Sequence, residues 1–304
     1  MPDTFVTRRE PVPVSMVPVG PGATLAAVSR SHGLRAPMQA FSFWLQLRGA
    51  SQVVAQEGSF RLEKGEWIAF DRGSMPEIRT GRDGLALCLM LPPELMYGAL
   101  DASDRGLLPG RGRLAKSDLR VAVRLWRRCS EQGADAPTGV ALRTLRPLLL
   151  HLQMAQREFA PLLDRCPGRS FRRKTRIFAR IQRARMYLEG NPDRMLRIEE
   201  LMELTRFSSW WLSKTFHAVY LETLQHASMR VRMERARVLL EHSHSSIGEL
   251  AVACGFHDPC SFARQFKAWH GETATTWRSQ KRAWNSHPQR WTPILAAAVS
   301  RASA

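Results

Sequence analysis

Apolar and polar positions alternate on two different periods along this chain, and the change of period divides it. From Phe41 the apolar residues come in short runs, FSFWLQLRG, SQVVAQEG, SFRLEKGE, WIAFDRG and LALCLML, each ended by Gly, Glu, Asp or Pro nearby. Runs of this length, rich in aromatic and β-branched residues, predict strands. Their spacing predicts a small antiparallel barrel or sandwich over about 40–92, stopped by Pro92-Pro93. Residues 1–37 carry much of the Pro and Gly and read as an extended lead-in. Downstream the period becomes helical. Residues 114–132 place Leu119, Val123 and Trp126 on one face, and 138–160 do the same with Leu142, Leu145, Leu149, Leu152 and Phe159. Such a pair serves either core packing or a dimer interface. PLLDRCPGRSFR, 161–172, reads as a linker, and a basic helix over about 174–189 is closed by Gly190-Asn191-Pro192.

The helical period then repeats as a unit. Ile198, Glu200, Leu201, Phe207, Leu212, Lys214, Phe216 and Val219 are answered by Ile247, Glu249, Leu250, Phe256, Phe262, Arg264, Phe266 and Trp269, at an offset of 49 residues that becomes 50 after Phe207/Phe256. A fixed offset with matching residue types marks a repeated supersecondary unit. Here it is a short helix, a tight turn and a second helix, the form that sets a helix in the DNA major groove. In the second copy Ser246 is the expected N-cap, and Gly255 the left-handed residue that ends the first helix. Asp258 caps the next helix and Pro259 fits its first turn. Phe262, Phe266 and Trp269 form the core stripe there, as Leu212, Phe216 and Val219 do in the first copy. The opposite faces carry the candidate DNA-binding residues: Ser209, Trp210, Trp211, Lys214 and His217, then Pro259, Cys260, Ser261, Arg264 and Lys267. For Trp211 packing against a neighbouring helix is an equal reading. A helix over about Glu222–His242 joins the copies, and its length, roughly 31 Å, is close to the ~34 Å between successive major grooves. Arg230, Arg232, Arg235 and Arg237 on it are either phosphate contacts or internal and solvated residues.

Charge sharpens this picture. At 44% hydrophobic and 24% charged, the 304 residues have an ordinary globular composition, but the net charge is +18. A field of that sign favours a polyphosphate partner, with an anionic membrane second. Eight basic residues fall between Arg169 and Arg185, just before the repeat, either as a solvated face or as phosphate contacts. The five cysteines, Cys88, Cys129, Cys166, Cys254 and Cys260, are odd in number and show no CxxC spacing, which fits a reducing compartment. MPDTFVTRREPVPV lacks the apolar stretch of a signal peptide, and no apolar run is long enough to span a bilayer, so the expected location is cytoplasmic with no membrane partner.

These residues resemble the AraC/XylS family of transcription regulators. The second copy carries the resemblance through Ala236-Arg237-x-Leu239-Leu240, Ile247-x-Glu249-Leu250-Ala251-x-x-x-Gly255-Phe256, Ser261-Phe262-x-Arg264-x-Phe266-Lys267, Gly271 and Arg278. The first matches more loosely, through Leu201, Ser208, Leu212-Ser213-Lys214 and Phe216. The resemblance implies a seven-helix DNA-binding domain whose base contacts fall at Trp210, Trp211 and Lys214, and at Cys260, Ser261 and Arg264. Leu221 and Leu224 stand where the family usually has Gly and Pro, and the Pro expected near Ala274 is absent. Lys214 stands where Arg is common, which weakens a bidentate guanine contact. Lys64-Gly65-Glu66 with Trp67-Ile68-Ala69-Phe70-Asp71 resembles the family's cupin-like sensor domain.

The expected fold is therefore a two-domain α+β chain. Residues 1–165 form a cupin-like antiparallel β-barrel with a helical pair, for sensing and dimerisation. Residues 166–284 form an all-α double helix-turn-helix domain, and 285–304 a disordered tail. The expected function is a sequence-specific, effector-responsive activator reading two adjacent major-groove segments. Its partners are promoter DNA, RNA polymerase, a small-molecule effector and a second copy; no cofactor or metal is expected. Two rivals stand beside this reading. A metal-dependent cupin enzyme needs several His in the barrel, and none occurs between His32 and His151. A sequence-tolerant architectural binder has no need of two distinct reading helices. Arg48, Arg61 and Arg72 are open to either an anion or solvent, and Trp44 and Trp67 read as core.

Overall fold

Two antiparallel sheets carry different burial patterns: Gly58–Glu63 alternates buried and exposed residues, whereas residues 41–46 and 86–91 are buried throughout. The computed structural model describes residues 14–18, 22–92, 94, 106–133 and 138–286. The first sheet has the order β1-β2-β9-β4-β7-β10, with β1 Val14–Pro18, β2 Thr24–Ser29, β4 Phe41–Arg48, β7 Glu66–Phe70, β9 Leu85–Leu91 and β10 Gly110–Arg113. The second has the order β3-β8-β5-β6, with β3 Gly33–Arg35, β5 Ala50–Ala55, β6 Gly58–Glu63 and β8 Glu77–Thr80. Every pairing is antiparallel. The strands expected from 40 to 92 are present, but they form two open sheets, not one closed barrel, among the described residues. The lead-in is also structured: β1, β2 and β3 lie within residues 14–35. Thr24 to Ser29 takes its register from β9, with Leu25 opposite Leu89 and Val28 opposite Ala86. Residues 1–13 of that lead-in and Pro93 lie outside the described residues.

Between the sheets Val28, Trp44, Val53, Phe60, Leu62, Phe70 and Ile78 share one core. Trp44 and Trp67 are fully buried, as the sequence reading expects of core residues. Trp67 stacks on Phe43 at 5.2 Å, and Phe159 meets Trp67 edge-on at 6.0 Å. Each such ring withdrawn from water contributes roughly 1.5–3 kcal/mol. Of the anion candidates, Arg48 donates to the Asp83 carbonyl, Arg61 pairs with Glu63 on the surface, and Arg72 is exposed.

Helices α1 Lys116–Gly133 and α2 Thr138–Ala155 pack together, burying Trp126, Leu145, Leu149 and Leu152, with Leu119 and Val123 half-buried. The side chain of Leu142 lies outside the described residues. The expected linker is partly helical, as α3 Ala160–Asp164, and Ser170 then caps α4 Phe171–Gly190. The basic helix thus begins three residues earlier than expected. Five helices follow its partner α5 Ile198–Thr205: α6 Ser209–Tyr220, α7 Leu224–His242, α8 Ile247–Ala253, α9 Pro259–His270 and α10 Ala274–Ser286. The tail beyond 286 lies outside the described residues.

The described residues fall into two compact units. One comprises the sheets and helices up to Asn191 with Arg197–Leu224; the other comprises Pro192–Leu196 and the helices from Gln225 onward. The first helix-turn-helix copy, α5 and α6, lies in the first unit, and the second copy, α8 and α9, in the second. Within the first unit α4 is latched to the β5–β6 turn. Buried Glu57 accepts from Arg183 Nε at 2.6 Å and from Ser74 Oγ at 2.7 Å. Asn191 Nδ2 donates to the Glu57 carbonyl at 3.0 Å. The backbones approach so closely there that a Cβ on Gly190 would stand 2.5 Å from the Glu57 carbonyl oxygen.

Candidate nucleic-acid interface

In the first copy Arg206 ends α5 in the left-handed conformation, φ 56, and its amide donates to the Met202 carbonyl. Ser208 then opens α6, accepting the Trp211 amide on its hydroxyl. That cap fixes the face of α6. Leu212, Phe216 and Val219 point into the core and are fully buried. Ser209, Trp210, Lys214 and His217 remain exposed. Trp210 is 66% exposed, and Lys214 Nζ lies 4.7 Å from its ring centroid, so the two form one cation–π unit on the outer face. Trp211 is set apart. It is half-buried, 4.3 Å from the ring of Phe207 in the turn before α6, and lines a groove with Arg172, Arg173, Arg176 and Arg180 of α4.

The second copy is capped more completely. Ser246 and Glu249 form a reciprocal capping box on α8, at 2.7 and 3.2 Å. Gly255 follows at φ 71, where a Cβ would stand 2.6 Å from the Arg194 Cα, so only Gly fits. Asp258 caps α9, accepting from the amides of Cys260 at 3.0 Å and Ser261 at 2.9 Å and from the Ser261 hydroxyl at 2.8 Å. These donors, the Ser261 hydroxyl foremost, hold the Asp258 carboxyl below its ordinary pKa. Arg264 Nη2 donates in turn to Ser261 Oγ at 3.2 Å. The Asp258–Ser261–Arg264 chain therefore aims the guanidinium along the exposed face. Pro259, Cys260, Arg264 and Lys267 are exposed and Ser261 half-buried. Phe262 and Phe266 are fully buried; Trp269, the third member of the expected stripe, is half-buried against His226.

Cys260 is the exposed member of the five free cysteines. Burial pushes the Cys129 and Cys254 thiols up to about 11 and the Cys166 thiol to about 12, which keeps them protonated and inert.

Two arginines of α7 are turned inward, and a third is held in surface ion pairs. Arg232 is 5% exposed, donates from Nε to the Cys254 carbonyl at 2.7 Å and from Nη2 to the Gly255 carbonyl at 2.8 Å, and stacks 3.8 Å over Phe256. Arg235 donates to the Ala253 carbonyl at 3.0 Å. Together they satisfy the orphan carbonyls at the C-terminal end of α8, where a cation is favoured. Arg237 is held between Glu234 and Glu241. Of the two roles left open, the structure selects the internal one for Arg232 and Arg235. Sequence reasoning left undivided the basic run before the repeat, from which Arg172, Arg173, Arg176 and Arg180 come together beside Phe207 and Trp211. Among the described residues no three His, Cys, Asp or Glu side chains gather into a metal-binding group, and no helix is long and apolar enough to cross a membrane.

Residues 201–280 match a helix-turn-helix domain family. The chain is similar to the Msm operon regulatory protein of Streptococcus mutans, 28% identical over 28% of this chain and 31% of that protein. It is similar also to the HTH-type transcriptional activator RhaR of an Enterobacter species, 30% identical over 31% of this chain and 34% of that protein. The chain thus spans about a third of the length of the curated relatives it matches. A solved transcriptional regulator from Chromobacterium violaceum with an AraC-type DNA-binding domain is 22% identical, over 34% of this chain and 91% of that one, with a TM-score of 0.32.

Proposed function

We propose that this chain, which belongs through its C-terminal helix-turn-helix region to the AraC/XylS family, is a sequence-specific transcription regulator reading two adjacent major-groove segments. The observation that carries this reading is the pair of capped helices, α6 and α9, each with a buried apolar stripe and an opposite face bearing free polar groups. Trp210 offers an apolar edge for thymine methyls, with Lys214 beside it for guanine or phosphate. Arg264, aimed by Ser261, suits a bidentate guanine contact. Ser209, His217, Pro259, Cys260 and Lys267 complete the two faces. The 19 residues of α7 rise about 28 Å, near the ~34 Å groove repeat.

Residues 166–284 are the DNA-reading part in this proposal, and 1–165 the part that senses an effector and dimerises. The two apposed sheets suit a cupin-like sensor, and the half-buried Leu119 and Val123 of α1 line, with Leu47, a cleft of about 450 Å³ suited to a second copy. RNA polymerase is the partner an activator needs. The test is selection from random duplexes by the purified full-length protein at near-physiological salt. Enrichment of a bipartite motif with half-sites about one helical turn apart supports the reading; uniform recovery of all sequences overturns it.

A further inference from the structure

Helix α4 breaks an electrostatic rule. Its first turn holds no acidic residue, and Arg172, Arg173 and Lys174 crowd the end where the helix dipole is positive. Among the described residues, Arg172, Arg173, Arg176 and Arg180 have no carboxylate within ion-pair distance. Mutual repulsion in the free protein is the cost of this arrangement. The first three of these arginines are exposed, so nothing in the core requires them.

These arginines line a groove of about 570 Å³ whose other wall is Phe207 and Trp211. Arg180 lies 4.6 Å over the Phe207 ring, and Phe207 is 4.3 Å from Trp211, so the stack forms a stiff floor. Burial disfavours the charged form of Arg180, and the nearby Arg176, Arg183 and Arg206 cations add to that by repulsion. An anion entering the groove relieves the repulsion and offsets the cost of burial. Trp211 is the third residue of α6, so whatever occupies the groove runs alongside the first turn of that helix.

We propose that the groove clamps the phosphodiester backbone of the strand bordering the major groove that α6 enters. The clamp rests on the DNA-reading proposal above and adds a site to it. Arg172 to Arg180 spans about 12 Å of helix, long enough to face about two successive phosphates along one strand of B-DNA. Trp211 then acts as a wall of the clamp, and Trp210 and Lys214 carry the reading of α6.

The test is DNA affinity as a function of salt for the full-length protein and the triple variant R172Q/R173Q/R176Q, on the selected site and a scrambled duplex. The expected slope of log affinity against log salt is shallower by roughly 2 in the variant, with both duplexes weakened by the same factor. The triple Arg→Lys variant retains most of the slope, which separates charge from misfolding. An unchanged slope overturns the clamp, as does a loss confined to the selected site. An unchanged slope together with pyrophosphate stabilisation that the variant lacks overturns it in favour of a free phosphate ligand. If the wild type prefers no sequence, the DNA-reading proposal fails, while the slope on nonspecific duplex still decides the clamp.

Discussion

Arg206 and Leu221 end α5 and α6 in the left-handed conformation, at φ 56 and 59, where the second copy uses Gly255 and Gly271, at φ 71 and 81. A side chain in that conformation costs roughly 1–2 kcal/mol. The second copy needs Gly255 for a further reason, since the Arg194 backbone fills the place of its Cβ, whereas a Cβ on Gly271 would meet nothing within 4 Å. The caps differ as well. α6 opens on a neutral hydroxyl, and α9 on a carboxylate that also orders Ser261 and, through it, Arg264. The second copy is thus the more tightly specified fold and the one whose exposed face is more pre-organised. The first tolerates backbone strain and places the Arg206 cation near Arg180 of the basic groove. Strain retained beside a concentration of charge is what a functional site leads one to expect.

The comparison breaks most easily at the first turn. Gly255→Ala is expected to cost about 2–5 kcal/mol, from left-handed strain plus the clash with Arg194, read as a lowered urea midpoint. Arg206→Gly should shift the midpoint the other way by up to about 1 kcal/mol. Small, equal shifts in both would mean that the two turns are equivalent. Next in size, Arg264→Ala should weaken binding to the selected duplex by about 1–3 kcal/mol and relax preference at one base pair. A loss equal on every sequence would make Arg264 a phosphate contact and remove the second copy's advantage. Lys214→Ala should cost less, since an ammonium cannot make the bidentate contact.

At the turn after the reading helix the expected effects are smaller. Gly271→Ala should destabilise by about 1 kcal/mol and Leu221→Gly should stabilise by less than that, both by thermal unfolding. The smallest effect is in acid. The Asp258 carboxyl is held below its ordinary pKa, so its capping contribution is complete above about pH 4 and is lost as pH falls through the lower folded value. Wild type should therefore lose thermal stability below pH ~4 more steeply than Asp258→Asn. Parallel curves would show that the carboxylate does not stabilise α9 through its charge.

Much of the helical region was legible because its forces are local. Capping by Ser246 and Asp258, the left-handed Gly255 and the apolar stripes of α6 and α9 depend on residues three or four apart. Spacing alone could not place Trp211, which packs on Phe207 of the preceding turn but also lines a groove with arginines of α4, some thirty residues earlier. Nor could it assign Arg232 and Arg235, whose partners are carbonyls some twenty residues later in the chain. In the sheets the apolar runs of β4, β7 and β9 and the alternation of β5 and β6 were readable. β1 and β2 were not, because a short Pro- and Gly-flanked segment becomes a strand only when a neighbour supplies its hydrogen bonds, β9 for β2 and β2 in turn for β1. The periodicity of turns likewise set the strand lengths without saying whether the sheet closes, which depends on pairing between distant strands.

By itself the sequence determined the repeat, the caps, the buried and exposed faces of α6 and α9 and the excess of positive charge, all of which follow from residue type and helical spacing. Only the tertiary structure decided which cations are used internally and which stand unpaired, that Glu57 binds Arg183 126 residues away, and that four arginines meet two aromatic rings in one groove. The physical reason is range: capping and amphipathicity act within a turn of helix, whereas burial, ion pairing and sheet closure depend on which distant segments the folded chain brings together.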